Sequence, residues 1–531
     1  MAAVLNFLNR GRVTFDEAIN EDDNYIHAWE HDRATEQLYR ELYKQRDAIR
    51  ALAKHHLRLG HEQHVSVAPP TKWLRGSFNI CIPLHVRSGR TDAAFMMRCA
   101  MPHKLAEARY HGTVDEKVGC EVGAYVWMQD NCPSIRIRIP HLYGFGLSNG
   151  RHFTHEKQRP WYVCIVHMFR RFLHTVLRYP KLSRYTANPA TSDLPTAYVL
   201  LEYIGSDTGQ MLSRTWDEHR HDTSRRQRLF RGMAHIILSL ARIPQPRIGS
   251  FQFHDDCSIS LTNRPLTASM VILENEGAPR TVQRLDTYQC TEPFVADMIA
   301  LQDNSFLSNP NAAYDDEDCR GHMATRTLIR AVSHRYIRRE QRNGPFFLQL
   351  TDLHASNIFV DDEWNPTCLV DLEWICALPV EMITVPYWLT GQAINGLTDK
   401  ALDEFNETRQ EFMCAFEEEE QKVRAGHDVS ITRVMDHGWA SDGVWFWQVV
   451  DSVGGLYSLV KDHLYGRFFV DDSREGRNTE VEEMLSMLWC EDAAGMVEKK
   501  SSEYKMYADK LRVLYEVKGT PTSSGEEKSG I

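Results

Sequence analysis

Residues 349–374, QLTDLHASNIFVDDEWNPTCLVDLEW, constrain the fold more than any other stretch of the chain. They read as a loop, a short strand, a polar turn, a second strand and an acid. A hairpin of that kind brings Asn357, entering its first strand, beside Asp371, leaving its second. Asp352 stands five residues before Asn357 on the same loop. A carboxylate, an amide oxygen and a second carboxylate therefore converge. Oxygen donors of this kind suit magnesium, a hard cation, and a separate carboxylate suits the acceptance of a hydroxyl proton. From Asn343 to Asp399 there is no Lys or Arg. Asp352 and Asp371 each sit among apolar residues expected to be buried, so they need a partner, and a metal is a good one. Calcium-loop spacing, D-x-[DN]-x-[DN]-G, is absent.

The rest of the chain reads as strands followed by helices. Trp73 to Ile82 is strand, turn, strand, and 93–99 is a further strand carrying Arg98. Residues 114–129 form a helix with Val118, Val122, Tyr125 and Val126 on one face, and Lys117 and Glu121 spaced for an ion pair. Pro133 ends it. A strand-like stretch at 135–145 follows, then an irregular insertion at about 146–194 with one helix, MFRRFLHTVLR. Residues 197–204 are a strand ending at Gly205. Beyond it, 225–243 carries Leu229, Phe230, Met233, Ile236, Ile237 and Leu240 at helical spacing. Residues 290–345 are helix-rich, and long helices are expected at 399–425 and 440–465. Upstream, 32–58 reads as one helix closed at Gly60. Residues 517–531 lack apolar anchors and are expected to be disordered. This order implies an α+β chain in two lobes: a helical extension at 1–65, a β-rich N-lobe at 66–204, a mostly helical C-lobe at 205–470, and a C-terminal helix and tail at 471–531.

Composition narrows the partners. Among 531 residues, 61 Lys and Arg face 72 Asp and Glu, a formal charge of −11. That argues against broad phosphate-backbone binding, so no nucleic acid is expected. No apolar run approaches a membrane span, and the start of the chain lacks a signal-peptide core, so a cytoplasmic protein with no membrane partner is expected. The 12 cysteines include no C-x-x-C pair, which leaves them as small buried apolar residues. His55, His56, His61 and His64 cluster, but Gly60 breaks any helical ligand spacing.

The pattern D-L-H-x-x-N, a hairpin, then two apolar residues and Asp resembles aminoglycoside phosphotransferases and choline-kinase-like enzymes. These share the protein-kinase-like fold. The full 349–374 text looks especially like the fungal proteins with an aminoglycoside-phosphotransferase domain. KVGCEVGAYVWMQDN, PHLYGFG, 225–251 and 379–391 are similar to the same set. The resemblance implies ATP and Mg2+ as cofactors and a small-molecule hydroxyl as acceptor. Asp352 matches the loop Asp that orients and deprotonates the acceptor, Asn357 and Asp371 match the magnesium ligands, and Glu121 matches the glutamate of the N-lobe helix. Arg98 falls where the family places its phosphate-binding lysine. The turn Gly76, Ser77, Phe78, Asn79 matches the loop over the nucleotide phosphates, and Glu202 to Ile204 matches the hinge that holds adenine. His354 matches the family's loop histidine.

Three features depart from the family pattern. Leu350-Thr351 stands where bacterial members have His-Gly, Arg98 replaces Lys, and the 76–79 turn has a single glycine. The reading is an ATP-dependent phosphotransferase acting on a small-molecule hydroxyl. The alternative is a pseudokinase-like module that binds nucleotide or a partner without transfer. A protein kinase is disfavoured, because 372–391 holds no activation segment of normal length.

Overall fold

The computed structural model describes residues 3–88, 91–132, 137–423, 426–469 and 475–521. Pro133, the start of the strand-like stretch at 135, and residues 522–531 of the expected tail lie outside them.

The expected helix at 32–58 is two helices, α1 (Tyr25–Lys44) and α2 (Arg46–Leu57), broken at Gln45. Asn24 caps α1 by accepting from the His27 N–H at 3.1 Å. The second helix stops at Arg58, in the left-handed region at φ 53°, before Gly60 is reached. The break was invisible to periodicity because Leu38 and Leu42 on one helix and Ile49, Leu52 and Ala53 on the other all enter a single apolar cluster.

That cluster covers one face of an eight-stranded antiparallel sheet. Its strands are β1 (His64–Val67), β2 (Leu74–Arg75), β3 (Asn79–Ser88), β4 (Thr91–Ala100), β5 (Leu142–Gly146), β6 (His152–His155), β7 (Tyr185–Ala187) and β8 (Tyr198–Glu202). The order is β1-β3-β4-β8-β5-β6-β7, with β2 paired to β3. Strand alternation decides where Arg98 goes. Met97 and Cys99 join Ile80, Ile82 and Leu84 under α1 and α2, so Arg98 between them must face the opposite side.

On that opposite side lies α3 (Thr113–Asn131), buried on nearly every face between the sheet and a hairpin, Ser250–Phe253 with Ile259–Asn263. The hairpin backbone crosses it closely: a Cβ on Gly123 would stand 2.5 Å from the Phe251 carbonyl oxygen. The insertion at 146–194 is more ordered than its sequence suggested. It supplies β6 and β7 to the sheet and a longer helix than expected, α4 (Trp161–Val176). Short strands rich in His and Thr carry little apolar signal, which is why they read as irregular.

The C-lobe is built around α5 (Thr223–Ala241) and α6 (Asp399–Glu420), joined by an edge-to-face contact of Phe230 and Phe412 at 5.4 Å. The expected helix at 440–465 is interrupted. It runs as α7 (Gly443–Val450), opens into a loop over 451–455, and resumes at Leu456. Among the described residues no helix is long and apolar enough to cross a membrane. The whole is a two-lobed α+β architecture, with a sheet and one packed helix above a helical lobe.

The chain ends form a third unit. A hairpin, Ala3–Phe7 with Gly11–Thr14, occupies the start of the expected helical extension. Thr520 and Pro521 pair with its first strand, so 517–521 are structured where disorder was expected. The helix α8 (Ala493–Lys518) lies on this hairpin and shares a core of Leu5, Phe7, Val13, Tyr25, Tyr507, Leu511 and Tyr515. Leu511→Ala should cost about 2–5 kcal/mol of local stability. Hydrogen exchange is then expected to quicken over 3–20 and 500–518 while α5 and α6 keep their protection; uniform quickening would show that the ends are no separate unit.

Candidate active site

Strand Phe347–Leu350 pairs antiparallel with Ile375–Leu378. The pairing continues into the loop, where the Thr351 N–H and hydroxyl both donate to the Trp374 carbonyl, at 3.1 and 2.9 Å. Asp352 is therefore held one residue beyond a fixed rung, next to Glu373. The loop closes through the Asn357 side-chain amide, which donates to the Asp352 carbonyl at 2.8 Å. Strands Ile358–Val360 and Pro366–Leu369 then form the hairpin, and Val370 N–H donates to the Asn357 carbonyl at 2.9 Å. Asn357 and Asp371 are neighbours through that bond. Asp371 has φ 61°, a left-handed backbone that turns the chain sharply as the second strand ends.

Asp352, Asn357 and Asp371 line one small cleft together with Leu350, Leu353, Leu369, Val370 and Trp374. Burial, and then the charges of Asp371 and Glu373, push the Asp352 carboxyl up to about 7. Burial, resisted by Arg98, pushes Asp371 up to about 6. His354 stands 3.9 Å from Asp352. Among the described residues no three His, Cys, Asp or Glu side chains form a metal cluster, so any cation here relies on the amide oxygen as well. The fit is chemically sound. With its NH2 committed to the Asp352 carbonyl, Asn357 is left with only its amide oxygen to offer, and Asp371 has one oxygen not bound to Arg98.

Above the cleft lies a buried ionic cluster. The Arg98 guanidinium, 7% exposed, reaches Asp371 at 2.8 Å, Glu373 at 2.9 Å and Glu121 at 3.3 Å. Lys117 is fully buried, donates to Asn79 at 2.8 Å and Glu121 at 3.3 Å, and pairs tightly with Glu373. Asn79 in turn donates to Glu373 at 2.7 Å. Burial opposes the charge on Glu373, but Lys117 and Arg98 outweigh it and hold its carboxyl below the usual range. Burial likewise opposes Arg98, and its three carboxylates raise it well above its ordinary value.

The nucleotide-contact candidates divide. Gly76 and Ser77 form the exposed tip of the β2–β3 turn, while the next residues reach across the lobes. Phe78 packs edge-on against Trp374 at 4.8 Å. Glu202 pairs with Arg138, and its second carboxylate oxygen accepts from the His141 N–H at 3.2 Å. Residues 203–205, with Ile204 among them, leave the strand as irregular backbone. Sequence reasoning missed Asn79, Lys117 and Glu373 as members of the cluster. For Lys117 the signal was the one cation of a largely buried helix, where its Glu121 spacing was read as an ordinary pair.

Asp352 also borders a second space, a cavity of about 850 Å3 on the C-lobe side. Its wall includes Tyr387, Trp388, Asp451 in the loop after α7, and Glu21, Asp22 and Asp23 from the N-terminal unit; none of its lining residues is Lys, Arg or His. Asn311 donates to the Asp22 carbonyl at 2.8 Å and fixes that loop. Arg10 pairs with Glu21 and Asp23, at 3.3 and 2.6 Å, from the outer side.

No protein-family model matches the chain, and no curated protein matches it. Among solved structures, Plasmodium vivax ethanolamine kinase is similar at a TM-score of 0.34 and 11% identity, over 83% of this chain and 85% of that one. At that distance the chemistry of the site rests on its own geometry.

The cluster makes a stability prediction. Lys117→Met leaves buried carboxylates short of a cation and should cost about 3–5 kcal/mol in denaturant unfolding. Adding Glu373→Gln should recover part of that loss. Strictly additive losses would mean that the two groups act independently.

Proposed function

We propose that this protein transfers the γ-phosphoryl group of ATP to a hydroxyl group of a small molecule. The observation that supports it best is the position of Asp352. One carboxylate borders both the cleft with Asn357 and Asp371 and the large acid-lined cavity. A hydroxyl seated in the cavity approaches the cleft past Asp352, which orients it and takes its proton. The amide oxygen of Asn357 and the free oxygen of Asp371 would hold Mg2+. When bound, that ion neutralises charge on the phosphate oxygens. Gly76 and Ser77 would cover the phosphates, and the backbone from Glu202 to Ile204 would hold adenine. Glu121 fixes Arg98, whose fork in this resting arrangement serves carboxylates. The aromatic and acidic cavity favours an acceptor that carries a cationic group.

One observation favours a second reading, a nucleotide-binding or interaction module without transfer. Arg98 is saturated by carboxylates, and Phe78 and Asn79 dock the 76–79 turn onto Trp374 and Glu373. A single variant separates the two. Asp352→Asn should keep Mg-ATP affinity while lowering transfer to an acceptor panel by about 10²–10⁴-fold, the effect of removing a positioned base. Calorimetry reads the affinity and labelled phosphate the transfer. Wild type that binds Mg-ATP yet transfers no more than the variant would favour the module.

A further inference from the structure

The helix α4 is built inside out. Three of its polar residues face the protein: His167 is buried and bonds the Ser183 carbonyl at 2.8 Å, Arg171 pairs with Glu156 at 3.4 Å, and the Cys164 sulfur bonds the Glu156 carbonyl at 2.9 Å. Its apolar residues face out. Trp161 is 74% exposed, Phe169 60% and Phe172 62%, with Ile165, Met168 and Val176 exposed beside them. None of them belongs to a hydrophobic core of the protein. A soluble helix turns its apolar stripe inward, and an exposed patch of this extent marks a surface that something covers.

The charge around the helix identifies the cover. From Lys157 to Ser192 the chain carries seven Lys or Arg and no Asp or Glu, in a protein of formal charge −11. Among the described residues Lys157, Arg170 and Arg178 make no ion pair. Arg170 flanks the apolar face, and Tyr162 and Tyr179 stand exposed at its two ends. A single convex apolar helix with aromatic ends and basic flanks matches the boundary between lipid headgroups and acyl chains. A second copy of the chain fits poorly, since pairing the two faces would bring two all-basic segments together.

We infer that α4 docks this protein, in the plane of the surface, onto anionic lipid membranes. It does so without crossing them, as its 16 residues are too few to span. No membrane partner was expected from the sequence, because the helix reads as an ordinary amphipathic one until its orientation is known.

Flotation of the full-length protein with phosphatidylcholine vesicles, with and without phosphatidylserine, tests this. The protein is expected to float with phosphatidylserine vesicles and to be released by salt. The double variant Phe169→Glu/Phe172→Glu should lose at least about tenfold of that partitioning, and Arg170→Glu/Arg178→Glu should lose part of it. Both pairs lie on the surface, so unchanged thermal melting is the control for folding. Absence of flotation, equal flotation with neutral vesicles, or equal flotation of the Phe variant would overturn the inference. So would sedimentation showing a dimer that the Phe variant dissolves, which would make a second copy the occupant.

Discussion

Two cations and three carboxylates, drawn from three parts of the chain, meet between the lobes. Arg98 comes from the sheet, Lys117 and Glu121 from α3, and Asp371 and Glu373 from the far end of the C-lobe hairpin. All but Asp371 lose nearly all their hydration there, so the cluster stands only because its buried members are matched. Its consequence is geometric. The segment that carries Asp371 cannot shift without breaking contacts to both the sheet and α3. The left-handed backbone at Asp371 is held by the same contacts. Asn79 and Phe78 extend this fastening to the turn of β2 and β3, and the cleft therefore lies under a closed N-lobe.

The second dependency runs through the chain ends. Glu21, Asp22 and Asp23 line the cavity only because the N-terminal hairpin rests on α8, and because Tyr507 and Asn311 hold the loop backbone. A wall of the large cavity thus depends on residues nearly five hundred positions away in sequence. Arg10 pairs with part of that wall, which leaves Asp22, Asp352 and Asp451 as its acids without an arginine partner among the described residues.

The D-L-H-x-x-N text and the hairpin after it were legible because loop, strand and turn signals agreed locally, and the structure brings Asn357 and Asp371 together as that reading expected. What sequence could not show was everything set by long-range packing. Lys117 looked like half of a helical pair until burial placed it against Glu373. The 440–465 stretch looked continuous, yet it opens at Asp451 to line the cavity. Strands β6 and β7 were hidden by their polar content, and α4 kept a normal amphipathic pattern while facing the wrong way.

We propose that the cleft formed by Asp352, Asn357 and Asp371 takes a metal-bound nucleotide. Hydrogen exchange of the unmodified protein with ATP, in the presence and absence of Mg2+, tests it most directly. Slowed exchange is expected at 76–80, 203–205 and 352–371, and only when both ATP and Mg2+ are present. Identical exchange with and without Mg-ATP across those segments would contradict it.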